Sequence, residues 1–492
     1  ATTEIYTLSL HDALPIFSFD LTQDQMVVKG KGVLNQLPSI LIYTHYFKDS
    51  APYELQIKAE TQASFEDFKR LGFDYLEYCK GPTKTNLTYI LEQNKKSRFH
   101  VELDTTQATL TFPPLDWKKK AGEKGELSFA LIFKDGQLAK MKDLKMSSPT
   151  YSLQGAVLFG PQKNWQTILL SEFKGPHTHT QVTLHNLPNH SYELSFKGQS
   201  VDLEKYLEYV NREVSAKDRP STDIKLFADV NQLRLGEGKI FQNVKASADL
   251  SIQGNNTTWK AVSLRANAGE GTAYKGDMAQ ISGGISFDIK PSSNNTTTLE
   301  VRANDAGQFL KNLGIYDEIR GGYITIKAER KDQDPYVGVF KIKQFNANKV
   351  PLLARFAALL SPMGIANLFS AKNTLSMDRF ECNFEFDENL ITVKNGIGKS
   401  LSLGFTVEGK LNRKDRIYAL KGNIIPARFL NSILSNIPLI GSLINGGEGE
   451  GLFGIAYTVK GPFETPNVSL NPLSALAPGF FRKIFQSLGA DE

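Results

Sequence analysis

Few groups of residues in this chain have the types and spacing that chemistry requires. Gly449-Glu450-Gly451-Leu452-Phe453-Gly454 has the GxGxxG spacing of a dinucleotide loop. In that chemistry the glycines let the backbone approach a pyrophosphate at a helix N-terminus, so the motif must follow a strand and open a helix. Here the glycines follow an amphipathic stretch and lead into an alternating strand, and Glu448 and Glu450 would repel a pyrophosphate. They read instead as a hinge with φ freedom. Gly398-Lys399-Ser400 has the ending of a P-loop, but Val393 stands where the first glycine is required. His177, His179 and His185 fall on one face if residues 178–184 form a strand, and His190 is close in sequence, so ligation of a transition metal is one reading. No acidic or thiol residue is interleaved with them, which favours a solvated polar face. Cys79 and Cys382 belong to no CxxC pair and indicate neither a zinc site nor a disulfide scaffold. No HExxH, no GxSxG and no nucleophile beside a base appears. The sequence therefore nominates no catalytic residue, no cofactor and no metal.

What remains is the framework, and its dominant signal is alternation of apolar and polar residues with period two, the pattern of strands with one oily and one wet face. Phe17, Phe19 and Leu21 begin it. Phe99, Val101 and Leu103 continue it, and Leu127, Phe129, Leu131 and Phe133 repeat it. Ile224, Leu226, Ala228 and Val230 follow, then Ile285, Phe287 and Ile289, then Phe380, Cys382, Phe384 and Phe386, and finally Phe453, Ile455, Tyr457 and Val459. Turn chemistry at Lys134-Asp135-Gly136, Gly254-Asn255-Asn256 and Asn395-Gly396 separates strands, since Gly and Asn accept positive φ at low cost. Antiparallel meanders follow from this. At 492 residues the chain exceeds the size of one compact core, so several domains or one repetitive body are expected. Its net charge of +5 is spread rather than striped and lacks interleaved aromatics, which argues against nucleic acid as a partner.

Three short helical patches, 65–76, 202–210 and 305–313, each carry an acidic residue near the start and come after a strand series, as in a degenerate repeat. Amphipathic stretches occupy 351–369, with Leu352, Leu353, Phe356 and Leu359 on one side, and 426–444. The last, 476–488, joins Phe480, Phe481, Ile484 and Phe485 to Arg482 and Lys483. Polar residues interrupt the first two, so neither reads as a membrane span, and the three cap a β core or touch a membrane surface. Residues 1–16 have no signal-peptide pattern and read as a non-native, adapter-derived segment. The expected divisions are then 17–221, a β segment with helical inserts; 222–470, a β domain with amphipathic helices; and 471–492, a terminal amphipathic helix.

Near the C-terminus, Ile437-Pro438-Leu439-Ile440-Gly441, Gly446-Gly447-Glu448-Gly449-Glu450-Gly451-Leu452-Phe453, Lys460-Gly461-Pro462 and the run from Asn471-Pro472-Leu473 to Pro478-Gly479-Phe480 resemble the end of the YhdP-type branch of the AsmA-like family. Asp305-Ala306-Gly307, Leu313-Gly314-Ile315-Tyr316, Ile319-Arg320-Gly321-Gly322 and Asp116-Trp117-Lys118 resemble the same family. The resemblance implies a mainly β protein whose elongated antiparallel sheet curls lengthwise into an apolar groove, with short amphipathic helices inserted and at the C-terminus. It implies a periplasmic location, an inner-membrane anchor preceding this fragment, and non-enzymatic movement of phospholipid between inner and outer membrane. The groove-lining residues would be Phe99, Val101, Leu103, Leu127, Phe129, Leu131, Phe133, Leu226, Ile285, Phe287, Ile289, Phe384, Phe386, Phe453 and Ile455. Membrane contact would fall to Leu352, Leu353, Phe356, Leu359, Phe480, Phe481, Ile484 and Phe485. The rival reading is a periplasmic assembly factor that binds outer-membrane proteins and other envelope proteins through sheet edges, as proposed for the related TamB-like proteins.

Overall fold

The computed structural model describes residues 5–7, 17–34, 36–70, 79–94, 96–134, 137–160, 164–211, 221–253, 256–267, 284–292, 295–313, 315, 317–348, 374–387, 389–401, 403–426, 455–463 and 465–471. It is 75% strand and 5% helix, so the protein is mainly β, as alternation predicts. The amphipathic stretches 351–369 and 476–488, nearly all of 426–444, the glycines 449–454, and the turn residues Asp135, Gly136, Gly254 and Asn255 lie outside the described residues. By packing density the chain divides into two units, Ala1–Gly236 with Asp249–Thr258, and Glu237–Ala248 with Trp259–Glu492.

In the first unit the strands are β1 (Ile5–Thr7), β2 (Phe17–Leu21), β3 (Gln25–Leu34), β4 (Leu37–Tyr46), β5 (Leu55–Ser64), β6 (Cys79–Lys80), β7 (Pro82–Leu91), β8 (Ser97–Asp104), β9 (Thr109–Phe112), β10 (Trp117–Lys119), β11 (Glu126–Lys134), β12 (Gln137–Ser147), β13 (Ser152–Phe159), β14 (Trp165–Gly175), β15 (Thr178–Leu187), β16 (Ser191–Asp202) and β17 (Thr222–Arg234). Helices α1 (Phe65–Arg70) and α2 (Glu204–Asn211) overlap two of the expected patches. Up to β16 each main-sheet strand pairs antiparallel with the next, β7 following β5 and β11 following β8. Strands β6, β9 and β10 form a separate three-stranded sheet. One pair departs from the antiparallel expectation: β16 and β17 run parallel, Leu194 opposite Leu226. A parallel pair cannot be joined by a hairpin, and the connection that carries α2 brings the chain back to the starting end.

Strands β18 (Ile240–Gln253) and β19 (Asn256–Asn267) contribute residues to both units. The second unit continues with β20 (Ile285–Pro291), β21 (Thr296–Ala303), helix α3 (Ala306–Asn312), β22 (Ile319–Lys331), β23 (Tyr336–Asn348), β24 (Thr374–Asp387), β25 (Leu390–Lys399), β26 (Leu403–Asn412), β27 (Ile417–Pro426), β28 (Ile455–Pro462) and β29 (Asn467–Asn471). From β19 to β29 every consecutive pair is antiparallel.

Acidic side chains start all three helices. Ser64 and Asp67 form a reciprocal capping box on α1, the Ser64 amide donating to Asp67 Oδ2 at 2.8 Å and the Asp67 amide to Ser64 Oγ at 3.2 Å. Asp202 Oδ1 accepts from the Glu204 amide of α2, and Asp305 Oδ1 from the Gln308 amide of α3, each at 2.9 Å. Asn395-Gly396 is not a turn. It lies within β25 as a bulge, with Asn395 at φ 50° and the register shifting between Val393 opposite Gly409 and Gly396 opposite Val407. Asn395 alone supplies the left-handed backbone, and it re-aims the strand rather than reversing it.

Candidate functional site

Because side chains alternate across a strand, register decides which residues share a face. In the first unit the pairings align one apolar row through Phe19, Val28, Tyr43, Ile57, Tyr89, Phe99, Leu131, Met141, Val157, Ile168, Leu184, Leu194 and Leu226. Parallel to it run Leu127, Met146, Leu153 and Phe173, and on its other side Phe133 with Leu138. The second unit repeats the device. One row passes through Ala266, Ile285, Ala303, Ile324, Ile342, Phe380, Gly398, Phe405 and Ile424, and backbone register continues it to Ile455. A second contains Leu264, Phe287, Val301, Ile326, Phe340 and Cys382. A third contains Val262, Ile289, Leu299, Ala328, Gly338, Phe384, Val393, Gly409, Leu420, Val459 and Val468. Phe386 opens a last row with Ile391, Leu411 and Tyr418.

Every described candidate thus takes a register position on one apolar face of its own unit, Leu226 with the first and Ile285, Phe287, Ile289, Phe384, Phe386 and Ile455 with the second. Phe453 lies outside the described residues, as do Leu352, Leu353, Phe356, Leu359, Phe480, Phe481, Ile484 and Phe485. Burial along the face is uneven. Val101, Leu103, Leu131 and Ile285 are buried, whereas Phe99, Leu127, Phe129, Phe133, Leu226, Phe287, Ile289, Phe384 and Phe386 are half-buried. At the β2 margin Phe19 remains 45% and Leu21 58% accessible.

One end of the first unit's face is covered. Val101 and Leu103 join Ala63, Phe65, Ala108 and Leu110 in a buried cluster, against which Cys79, Trp117, Leu127 and Phe129 pack. The small β6–β9–β10 sheet and α1 therefore sit on the face there, and Trp117 meets Tyr151 edge-on at 5.6 Å. The cover is fastened by Lys119, only 1% accessible, whose ammonium donates to the carbonyls of Thr105 at 2.7 Å, Ala108 at 2.9 Å, and Thr106 and Lys120 at 3.3 Å. Burial lowers its pKa, opposed by the charges of Glu123 and Asp104. In the second unit α3 plays a comparable part with Ala306, Gly307, Phe309 and Leu310 buried. A methyl at Gly307 would stand 2.4 Å from the Ile319 carbonyl, so only glycine lets this helix lie so close to β22.

The reverse face is polar. In the second unit it carries Lys341 with Glu381 at 2.7 Å, Lys394 with Glu385, and Arg302 with Glu300. Asp288 is buried there, accepting from Ser263 Oγ at 3.0 Å and pairing with Arg265 at 2.9 Å. Burial would raise its pKa, but the bonds from Arg265 and Ser263 outweigh that and hold it below the usual carboxylate value.

His179 and His185 do share this polar face of β15, but six residues along a strand separates them by about 20 Å. His179 contacts Gln199 at 3.1 Å and Glu172 at 3.4 Å, His185 contacts Thr167 at 3.0 Å, and His177 sits in the β14–β15 turn. Among the described residues no three His, Cys, Asp or Glu side chains are grouped to hold a metal. Cys79 and Cys382 are free thiols, pushed up by burial to about 11 and about 12. A hollow of about 230 Å³ between β11, β12 and β13 is lined by Glu126, Ser128, Lys145 and Gln154 among others, and offers no converging catalytic groups. No helix among the described residues is long and apolar enough to cross a membrane. No protein-family model, curated protein or solved structure matches the chain.

Proposed function

We propose that this protein is a non-enzymatic scaffold that binds or conducts phospholipid along its apolar sheet faces, in the periplasm between inner and outer membrane, as the resemblance to AsmA-like proteins implies. The observation that supports this is the set of apolar rows in which Phe99, Leu127, Phe129, Leu226, Phe287, Ile289, Phe384 and Phe386 stay partly accessible beside buried neighbours such as Leu131, Ile285 and Ile324. A soluble sheet hides such a face in a packed core, in a closed barrel, or under a ligand. Acyl chains fit the third case. Each CH₂ removed from water is worth about 0.8 kcal/mol, so a sixteen-carbon chain laid along the rows gains on the order of 10 kcal/mol before ordering costs.

Mass spectrometry of lipids that travel with the gently purified protein tests the reading. Stoichiometric phospholipid is expected, and photocrosslinkers at Phe129 and Phe287 should capture it. A lipid-free preparation whose crosslinkers find only neighbouring side chains would end the proposal.

A further inference from the structure

At one strand end of the second unit the apolar face is bordered by arginines rather than by more apolar side chains. Arg330 lies two residues beyond Ala328 in β22 and so belongs to the apolar side of the sheet, where its guanidinium stacks 4.8 Å from the Tyr336 ring. Arg413 opens the turn after β26, and its guanidinium stands 5.8 Å from the Phe386 ring of the apolar face. Arg416 closes the same turn at φ 54° and stands 5.5 Å from Phe463, which itself packs at 4.2 Å against Tyr418. Tyr336 and Phe386 are direct register partners, so Arg330 and Arg413 rest on adjacent rings whose backbones lie about 5 Å apart.

Stacking fixes a guanidinium's plane while leaving its edge of N–H donors free to turn outward. Among the described residues Arg330 and Arg413 have no carboxylate partner, and Asp415 in the same turn is held by Asn412 at 2.7 Å. Arg330 Nε is moreover buried without a hydrogen-bond partner among the described residues, a donor whose unmade bond costs free energy. Two forked donors side by side at the margin of an oily surface match a phosphodiester attached to acyl chains.

We infer that Arg330 and Arg413, with Arg416 beside them, form a rim site for the phosphate of a lipid whose acyl chains lie on the apolar face. The inference rests on the lipid-scaffold reading and adds a headgroup preference to it: phosphate-bearing lipids are held over neutral ones.

The test titrates the full chain with two fluorescent lipids of identical acyl chains, phosphatidylglycerol and diacylglycerol. Wild type should bind phosphatidylglycerol at least tenfold tighter, with an advantage that shrinks as salt rises. The R330Q/R413Q variant should bind both lipids equally, with diacylglycerol affinity unchanged, while Lys341→Gln on the polar face should alter neither. Should the double variant also lose diacylglycerol, the exposed single variant Arg413→Gln gives the reading, with a several-fold loss for phosphatidylglycerol expected. If phosphatidylglycerol affinity survives these substitutions, or falls equally with Lys341→Gln, the rim site is wrong and the lipid scaffold stands. If excess inorganic phosphate displaces phosphatidylglycerol completely, the site takes free anions and its lipid assignment fails. Binding of neither lipid would overturn the scaffold reading and the rim together.

Discussion

Phe287 and Ile285 stand two residues apart on the same face of β20, and substituting each separates an accessible apolar surface from a closed core. Ile285 is 1% accessible, whereas Phe287, between Leu264 and Val301, is half-buried. A fully buried phenylalanine cut back to a small residue costs about 3–5 kcal/mol through lost transfer energy and the cavity left behind. With only part of its surface left in water, Phe287→Ser should cost about 2–3 kcal/mol, below the fully buried value, while Ile285→Ala should cost about 3 kcal/mol despite removing a smaller side chain. A chain of this size does not unfold as one unit, so the measurement is local: hydrogen exchange of β20 and β21 amides in delipidated protein. The same samples, purified gently, are analysed for lipid. Phe287→Ser should lose at least half its phospholipid, and Ile285→Ala should lose stability out of proportion to lipid. A cost of about 4 kcal/mol at Phe287, the value for a fully buried ring, with lipid content unchanged would mean the rows are interlocked core, and the reasoning from half-burial would be wrong.

Other perturbations test the supports of the face. Lys119→Met removes the ammonium from the Thr105 and Ala108 carbonyls and should cost about 3 kcal/mol, seen as faster hydrogen exchange and proteolysis in β9 and β10 with the rest of the first unit protected. Asp288 has a folded pKa below its unfolded value, so its contribution is fully present above the usual carboxylate pKa near 4 and is lost as pH falls through the folded value; Asp288→Asn should flatten this acid limb in pH-dependent melting. Gly422→Ala would place a methyl 1.8 Å from the Thr406 carbonyl that Tyr457 Oη reaches at 2.7 Å, and should cost more than Tyr457→Phe, about 2–3 against about 1 kcal/mol by denaturant melting. With thiols held at about 11 and about 12, Cys79 and Cys382 should react with maleimide at neutral pH far more slowly than an exposed cysteine peptide.

Strand type and face were legible wherever alternation ran unbroken, as in β8 and β20: Phe99 to Leu103, and Ile285 to Ile289, occupy the face their parity assigns. Helix starts were legible because Asp67, Asp202 and Asp305 do their capping locally. The cover over Val101 and Leu103 was not legible, because its parts come from β6, β9 and β10, segments of two to four residues too short for any period to register. Lys119 gave no signal either, since a lysine satisfied by backbone carbonyls needs no partner residue in the sequence. Arg330 could have been found by extending the apolar parity one step past Ala328 within β22, whereas Arg413 and Arg416 lie in the turn between β26 and β27, where strand parity gives no signal.

Bulges explain both what period-two reading misses and how the face survives. In β12 the apolar positions are Leu138, Met141, Leu144 and Met146, spaced three, three and two, which looks like no strand at all. The register shifts of β12 against β11 and β13, with Asp143 at φ 53°, absorb the extra residues and return each apolar side chain to the same side. Strand β14 does likewise with Trp165, Ile168, Leu170 and Phe173. An unabsorbed extra residue would turn every later side chain of its strand to the wrong face, exposing apolar groups on the polar side and burying lysines in the rows. Each bulge also bends its strand and sharpens the local twist. Adding a residue therefore tests more than geometry: deleting Asp143 should leave Met141, Leu144 and Met146 at regular two-residue spacing on the apolar side, whereas inserting one residue after Lys142 should leave Leu138 and Met141 in place while reversing Leu144 and Met146, and lipid should then be lost from the rows around Leu127 and Leu153, which pair with Met146, before it is lost from those around Phe287.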